Sequence, residues 1–219
     1  MTDRQIPFSA PMVRALLEGR KTQTRRNLPA AHPRFPEFSH MRTDVLDDPA
    51  FVWFWNGKHD GVGASHRIPY TTGDRLYVRE AWRAPLHVDD QPPREIPPTN
   101  SVHYCADGDA PTIFGRYRHA RFMPRWASRL TLNVTDVRVQ RLREITAADS
   151  IAEGVKCDTC SAMGESACHG RGCFASQEAF RTLWNSLHGP DAWDENPWVV
   201  ALTFTVARGN IDTLGATNA

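Results

Sequence analysis

An α+β fold, a small and partly closed β-barrel with peripheral helices and long loop insertions, is what the pattern of residues in this chain predicts. Three observations carry that expectation. Short stretches alternate apolar and polar residues, most clearly Leu130, Leu132 and Val134, then Trp198, Val200, Leu202, Phe204 and Val206. A few stretches show helical spacing instead, and they lie between the strands. Two proline-rich segments, 27–72 and 83–123, break the periodicity and read as largely irregular. Several short strands with helices only at their connections suit a small barrel.

Taken in order, the first element is a helix over Ser9 to Glu18, with Val13, Leu16 and Leu17 at helical spacing, Ser9 as cap and Gly19 as left-handed stop. Arg20, Lys21, Arg25 and Arg26 follow at once, interleaved with Thr22 and Thr24. The carboxyl end of the helix favours Arg20 and Lys21 locally, but not the two arginines beyond. In the first proline-rich segment, Phe51-Val-Trp-Phe-Trp55 is a dense aromatic run. It reads either as a strand packed on the core or as a platform on which bases stack.

Gly73-Asp74 then turns into a strand through Trp82, on which Glu80 shares the inward parity of Leu76 and Val78. A carboxylate facing inward needs a buried cation or a polar pocket. A strand over Ser101 to Ala106 ends in the turn Asp107-Gly108, and Cys105 within it reads as a buried hydrophobe. The alternation of residues 129–134 changes phase at Thr135-Asp136, which predicts a bulge. Thr146 and Asp149 form a capping-box-like start for a helix with Ile151, Ala152 and Val155 as its stripe. Glu153 lies in the last turn, against the helix dipole, and needs a reason to be there. Phe180, Leu183, Trp184 and Leu187 define a second helix, and a polar tail, expected to be flexible, follows Arg208.

The composition, 41% hydrophobic and 23% charged over 219 residues, is that of a globular chain able to bury a sizeable core. No apolar run has the length of a membrane span, and the first residues carry Asp3 and Arg4 where a signal peptide would be apolar. The expectation is a cytoplasmic protein without a membrane partner. A formal charge of +1 excludes a general polyanion binder, so any contact with nucleic acid must come from local patches.

Two stretches, Gly19-Arg20-Lys21-Thr22-Gln23-Thr24-Arg25-Arg26 behind a helix and Gly73-Asp74-Arg75-Leu76-Tyr77-Val78-Arg79-Glu80, resemble the ASCH domain family, a relative of the PUA fold. Ser128 to Val134, Ile151-Ala-Glu-Gly154 and Asn196-Pro-Trp-Val-Val200 are similar to it as well, particularly to longer phage-type members. The resemblance implies one PUA-like domain over residues 6–206, with 27–72, 83–123 and 156–173 as insertions and 208–219 as a tail.

Some members of that family are amidohydrolases that deacetylate N4-acetylcytidine with a lysine, a threonine three residues on, and a glutamate. These positions fall on Lys21, Thr24 and Glu153. Thr24 would attack the acyl carbonyl, Lys21 would take its proton, and Glu153 would protonate the leaving amine or orient water. Arg20, Arg25, Arg26, Glu80 and Trp126 would bind the substrate, a modified nucleoside or single-stranded RNA, without a catalytic cofactor. Two alternatives stay open: a non-catalytic RNA- or modified-base-binding module, and a ribonuclease using the same three residues. In a fully extended strand Lys21 and Thr24 would face opposite ways, so the chemistry requires a turn or bulge there. The chain is also longer than compact amidohydrolases, and its insertions could reshape the pocket.

Cys157-Asp-Thr-Cys160 and Cys168-His-Gly-Arg-Gly-Cys173, separated by seven residues, can wrap a tetrahedral zinc, with His169 able to replace one thiolate. Four protein ligands close the coordination sphere, so this zinc would be structural. Metal analysis of chelator-free protein is expected to find one zinc per chain, with its thiols protected from alkylation until the metal is removed. Substoichiometric metal with four freely titrating thiols would contradict this.

Overall fold

In chain order the strands and helices are β1 (Asp3–Pro7), α1 (Ala10–Leu17), β2 (Gln23–Asn27), β3 (His40–Arg42), β4 (Phe51–Trp55) and β5 (Gly63–Arg67). There follow β6 (Arg75–Arg79), β7 (Trp82–Arg83), β8 (His103–Tyr104), β9 (Leu130–Arg141), α2 (Ala147–Ala152), α3 (Phe174–His188), β10 (Trp198–Arg208) and α4 (Ile211–Leu214). The structure, a computed structural model, describes residues 3–30, 33–34, 39–42, 50–58, 62–156 and 174–214. Five strands form a mixed sheet in the order β1-β6-β9-β10-β2; β3-β4-β5 and β7-β8 form two smaller sheets. The architecture is therefore mixed α+β. Among the described residues no helix is long and apolar enough to cross a membrane.

The chain divides into two compact units: residues 1–22, 73–134 and 204–219 in the first, residues 23–72 and 135–203 in the second. In the first unit, β1 runs parallel to β6, with Ile6 opposite Val78, and β6 runs antiparallel to β9, with Leu76 opposite Leu132. Helix α1 buries Val13, Ala15 and Leu16. Ser9 has the extended backbone of a cap residue, but its side chain makes no capping hydrogen bond; Pro11 occupies the first turn, where a missing N–H costs nothing. Gly19, at φ 74°, ends the helix as expected. A second cluster of this unit gathers Trp82, Ala84, Val88, Ile96, Met123 and Ala127.

The second unit has its own core of Leu142, Ile145, Phe180, Trp184, Ala192 and Val199. Two expectations for its helices change. Ile151 is 48% exposed, because the inner side of α2 is polar: Ser150 and Glu153 are buried there instead. Leu187 is 49% exposed, and His188 stacks on Trp184 in its place, with ring centroids 4.3 Å apart. In β9, Thr135 and Asp136 are both exposed between the buried Val134 and the half-buried Val137, which is the phase change that the sequence predicts.

Two expectations for the first unit change as well. The strand expected over 101–106 is only His103–Tyr104, and Cys105 is half-buried. Residues 209–214 are not a free tail. Ile211 is fully buried, Asn210 donates to the carbonyls of Arg125, Trp126 and Ser128, and Asp212 accepts from Arg125. Trp82 is fully buried at the centre of its cluster, so Trp82→Ala leaves a cavity and is expected to cost about 3–5 kcal/mol. A urea titration would show this as a lower midpoint with little change in slope.

Candidate functional site

Strand β2 begins with Gln23, Thr24 and Arg25, exposed by only 4%, 1% and 3%. Three consecutive buried polar residues mean that both faces of the strand are covered, since side chains alternate along it. The strand pairs antiparallel with β10, with Thr24 opposite Leu202 and Gln23 opposite Thr203. Each polar group must then find its partner inside the second unit.

Gln23 and Arg25 share one face and meet α2. The Arg25 guanidinium donates through Nη1 to Gln23 Oε1 at 2.7 Å and to Glu153 Oε1 at 3.0 Å. Its Nη2 lies 3.3 Å from Asp149 Oδ2, an ion pair without hydrogen-bond geometry. Gln23 Nε2 donates to Asp149 Oδ1 at 3.1 Å and to Thr203 Oγ1 at 3.2 Å. The Phe180 ring centroid lies 5.8 Å from the guanidinium carbon. Arg138 adds a second cation to Asp149, at 3.2 Å.

This arrangement supplies the reason for a carboxylate at the end of α2. Glu153 is the helix C-cap and is only 4% exposed, and the charge of Arg25 offsets the unfavourable dipole. Asp149 does double service. Its Oδ2 accepts from the Thr146 N–H, Thr146 accepts from its N–H, and both its oxygens face Arg25 or Gln23. Burial alone would raise its pKa, but the bonds from Gln23 and Thr146 and the charge of Arg25 outweigh that and hold it below the ordinary aspartate value.

Thr24 and Arg26 share the opposite face. Arg26 Nη1 donates to Thr24 Oγ1 at 2.9 Å and to the carbonyl of Arg25 at 3.0 Å. Desolvation pushes the Arg26 guanidinium pKa down, against the opposing influence of Tyr70 and Glu153. His188 is pushed down too, by burial and then by the charge of Arg26. The result is a desolvated cation against a buried hydroxyl, an arrangement able to stabilise an oxyanion.

The remaining candidates belong to the first unit. Lys21 is fully buried, with its ammonium 5.7 Å from the centroid of Phe8. Arg20 is half-buried and its Nε donates to Glu18 at 2.6 Å. Glu80 is buried with a cation, as its parity requires: Arg129 Nε and Nη2 donate to its two oxygens at 2.9 and 3.0 Å, and Asp107 takes the remaining side of the fork. The Arg129 guanidinium stacks 3.9 Å over Tyr104. Burial raises the Glu80 pKa, and Arg129 opposes it. Trp126 packs half-buried against the cluster around Trp82. Cys157, Cys160, Cys168, His169 and Cys173 lie outside the described residues.

Thus Thr24 meets Arg26, and Arg25 meets Glu153, in one unit, while Lys21, Arg20, Glu80 and Trp126 belong to the other. Gln23, Asp149, Tyr70 and His188 were not legible as site residues; only Asp149 carried a signal, as the capping-box residue of α2. Comparison of the chain with protein-family models, with curated proteins and with solved structures finds no match in any of the three.

Removing Arg25 would take a counter-charge from the buried Glu153 and from the half-buried Asp149. Arg25→Leu is expected to destabilise by about 3–5 kcal/mol. The pH dependence has a definite sign. A carboxyl whose pKa is lower folded than unfolded binds fewer protons in the folded state. Its stabilisation is therefore present above the unfolded value, about 3.9 for aspartate, and is lost as pH falls below it. Stability measured across that range should fall toward acid in the wild type and less steeply in Asp149→Asn.

Proposed function

We propose that this chain is an ASCH-like protein with a partly closed, PUA-like barrel that acts on modified nucleosides or RNA, removing an N4-acyl group from cytidine. The observation that carries the reading is Thr24. The residue is 1% exposed, its hydroxyl accepts from Arg26, and it lies in the same unit as the buried carboxylate Glu153. A nucleophile in this position gains a cation that stabilises its developing alkoxide.

In this reading Thr24 Oγ1 bonds to the acyl carbon, and the proton passes to the amine of Lys21, three residues earlier in the chain. Lys21 is fully buried. The carbon–nitrogen bond then breaks, the exocyclic nitrogen of cytidine takes up a proton, and water releases the acyl group from Thr24 as the carboxylic acid. Glu153 protonates the leaving nitrogen or orients that water. A structural zinc on the cysteine cluster has no part in these steps.

A second reading is a non-catalytic binder of RNA or modified bases. The specific observation in its favour is that Glu153 Oε1 is already engaged by Arg25 at 3.0 Å, as a purely structural carboxylate would be.

A mass-spectrometric assay on N4-acetylcytidine, free and within short RNA, separates the two. Thr24→Val is expected to abolish release of cytidine while leaving nucleoside affinity within a few-fold. An unchanged rate in Thr24→Val rules out Thr24 as the nucleophile, and binding without turnover in the wild type selects the second reading.

A further inference from the structure

Thr24 stands between two residues that share one anchor. Gln23 and Arg25 project to the face of β2 opposite Thr24, and both reach Asp149. Gln23 Nε2 donates to Asp149 Oδ1 at 3.1 Å, and Arg25 Nη2 lies 3.3 Å from Oδ2. The two are also joined to each other, Arg25 Nη1 donating to Gln23 Oε1 at 2.7 Å. In the sequence Asp149 stands out only as the capping residue of α2.

The anchor is itself held from several sides. Asp149 closes the capping box of α2: its N–H donates to Thr146 Oγ1 at 3.0 Å, and its Oδ2 accepts from the Thr146 N–H at 3.3 Å. Arg138 Nη2, from β9, donates to Oδ1 at 3.2 Å. Helix α3 fastens the same turn from behind. Gln177 Nε2 donates to the Ile145 carbonyl at 2.8 Å, and the fully buried Ser176 donates to the Ala147 carbonyl at 3.3 Å. The Asp149 side chain is 14% exposed, so these bonds act largely out of water.

The consequence for Thr24 is geometric. Successive side chains of a strand project to opposite faces, so the backbone on both sides of a residue sets its direction. Fastening residues 23 and 25 to one rigid point therefore aims residue 24 at the other face, where Arg26 Nη1 donates to its hydroxyl at 2.9 Å. Pairing with β10 sets where Thr24 stands along the sheet, opposite Leu202; the anchor limits how β2 rotates about its own axis. Apolar side chains at 23 and 25 could cover this face at little cost in stability, but burial of apolar surface carries no direction.

We infer that Asp149 is a positioning residue for Thr24, acting through Gln23 and Arg25 to hold the hydroxyl in line with the acyl carbon. This rests on the reading of Thr24 as the nucleophile. In this role Asp149 touches no reacting atom and exchanges no proton. A displacement of about 1 Å in a reacting group costs on the order of 100-fold in rate, so a loosened anchor shows in turnover before it shows in binding.

Steady-state hydrolysis of N4-acetylcytidine by the full chain tests this. Asp149→Asn removes the charge and one acceptor, and Gln23→Met removes both bonds of the amide. Each is expected to lower kcat by about 10- to 100-fold and to leave KM within about 2-fold. In the double variant the losses should not multiply, because both act through one contact. Thr146→Ala, which loosens the anchor at an exposed position, is expected to lower kcat in the same sense, and Thr146→Ser to restore it. Near-ultraviolet circular dichroism at the assay temperature reports that each variant is folded.

Wild-type kcat in folded Asp149→Asn overturns the assignment. So does a raised KM at unchanged kcat, which makes Asp149 a binding residue. Losses that multiply in the double variant overturn the route through Gln23. A wild type that releases no cytidine fails the nucleophile reading itself and takes this inference with it. An active wild type, with Thr24→Val inactive and Asp149→Asn unimpaired, fails this inference alone.

Discussion

A buried arginine between two carboxylates is the constraint on which the second unit depends. Strand β2 carries Gln23, Thr24 and Arg25 into an interior that would otherwise select apolar side chains. Arg25 is tolerated there because Glu153 and Asp149 supply its counter-charge and Gln23 Oε1 accepts one of its hydrogen bonds. The consequences spread outward. Helix α2 must turn a polar side toward β2, which leaves Ile151 on its outer side, and it must end at Glu153. Replacing such a network by apolar residues is often neutral or stabilising in other proteins, so stability alone does not account for it. Fixing the register of β2, and with it the position of Thr24, is a use that does.

The first unit solves the same problem with a different arginine. Glu80 enters the interior on the parity of Leu76 and Val78, and Arg129 covers it with a bidentate fork that also reaches Asp107. Arg125 similarly joins Asp3 of β1 to Asp212 of α4. These pairs are built on guanidinium geometry, which satisfies two oxygens at once where an ammonium would satisfy one.

What the sequence disclosed follows from these physics. Strand alternation located β6, which buries one side, and also β9 and β10, where a period of two survives in the large apolar residues although residues 130–132 and 199–202 are buried on both sides. Parity alone put Glu80 inside and required its cation, though it did not name Arg129. The helix dipole flagged Glu153 as needing a partner, though Arg25 is 128 residues away and no local rule connects them. The helix α4 was missed because its burial rests on Ile211 and on the Asn210 amide spanning three distant carbonyls. Local pattern reports which face is buried; it does not report what a polar residue meets there.

The central claim is that Thr24 is a nucleophile, and it makes a covalent intermediate unavoidable. Intact-protein mass spectrometry, after rapid acid quench of the protein with excess N4-acetylcytidine, looks for that species directly. A protein heavier by one acetyl group, with the adduct mapped to Thr24 and absent from Thr24→Val, is the predicted result. Release of cytidine with no acylated protein at any quench time, or an adduct on another residue, would contradict it.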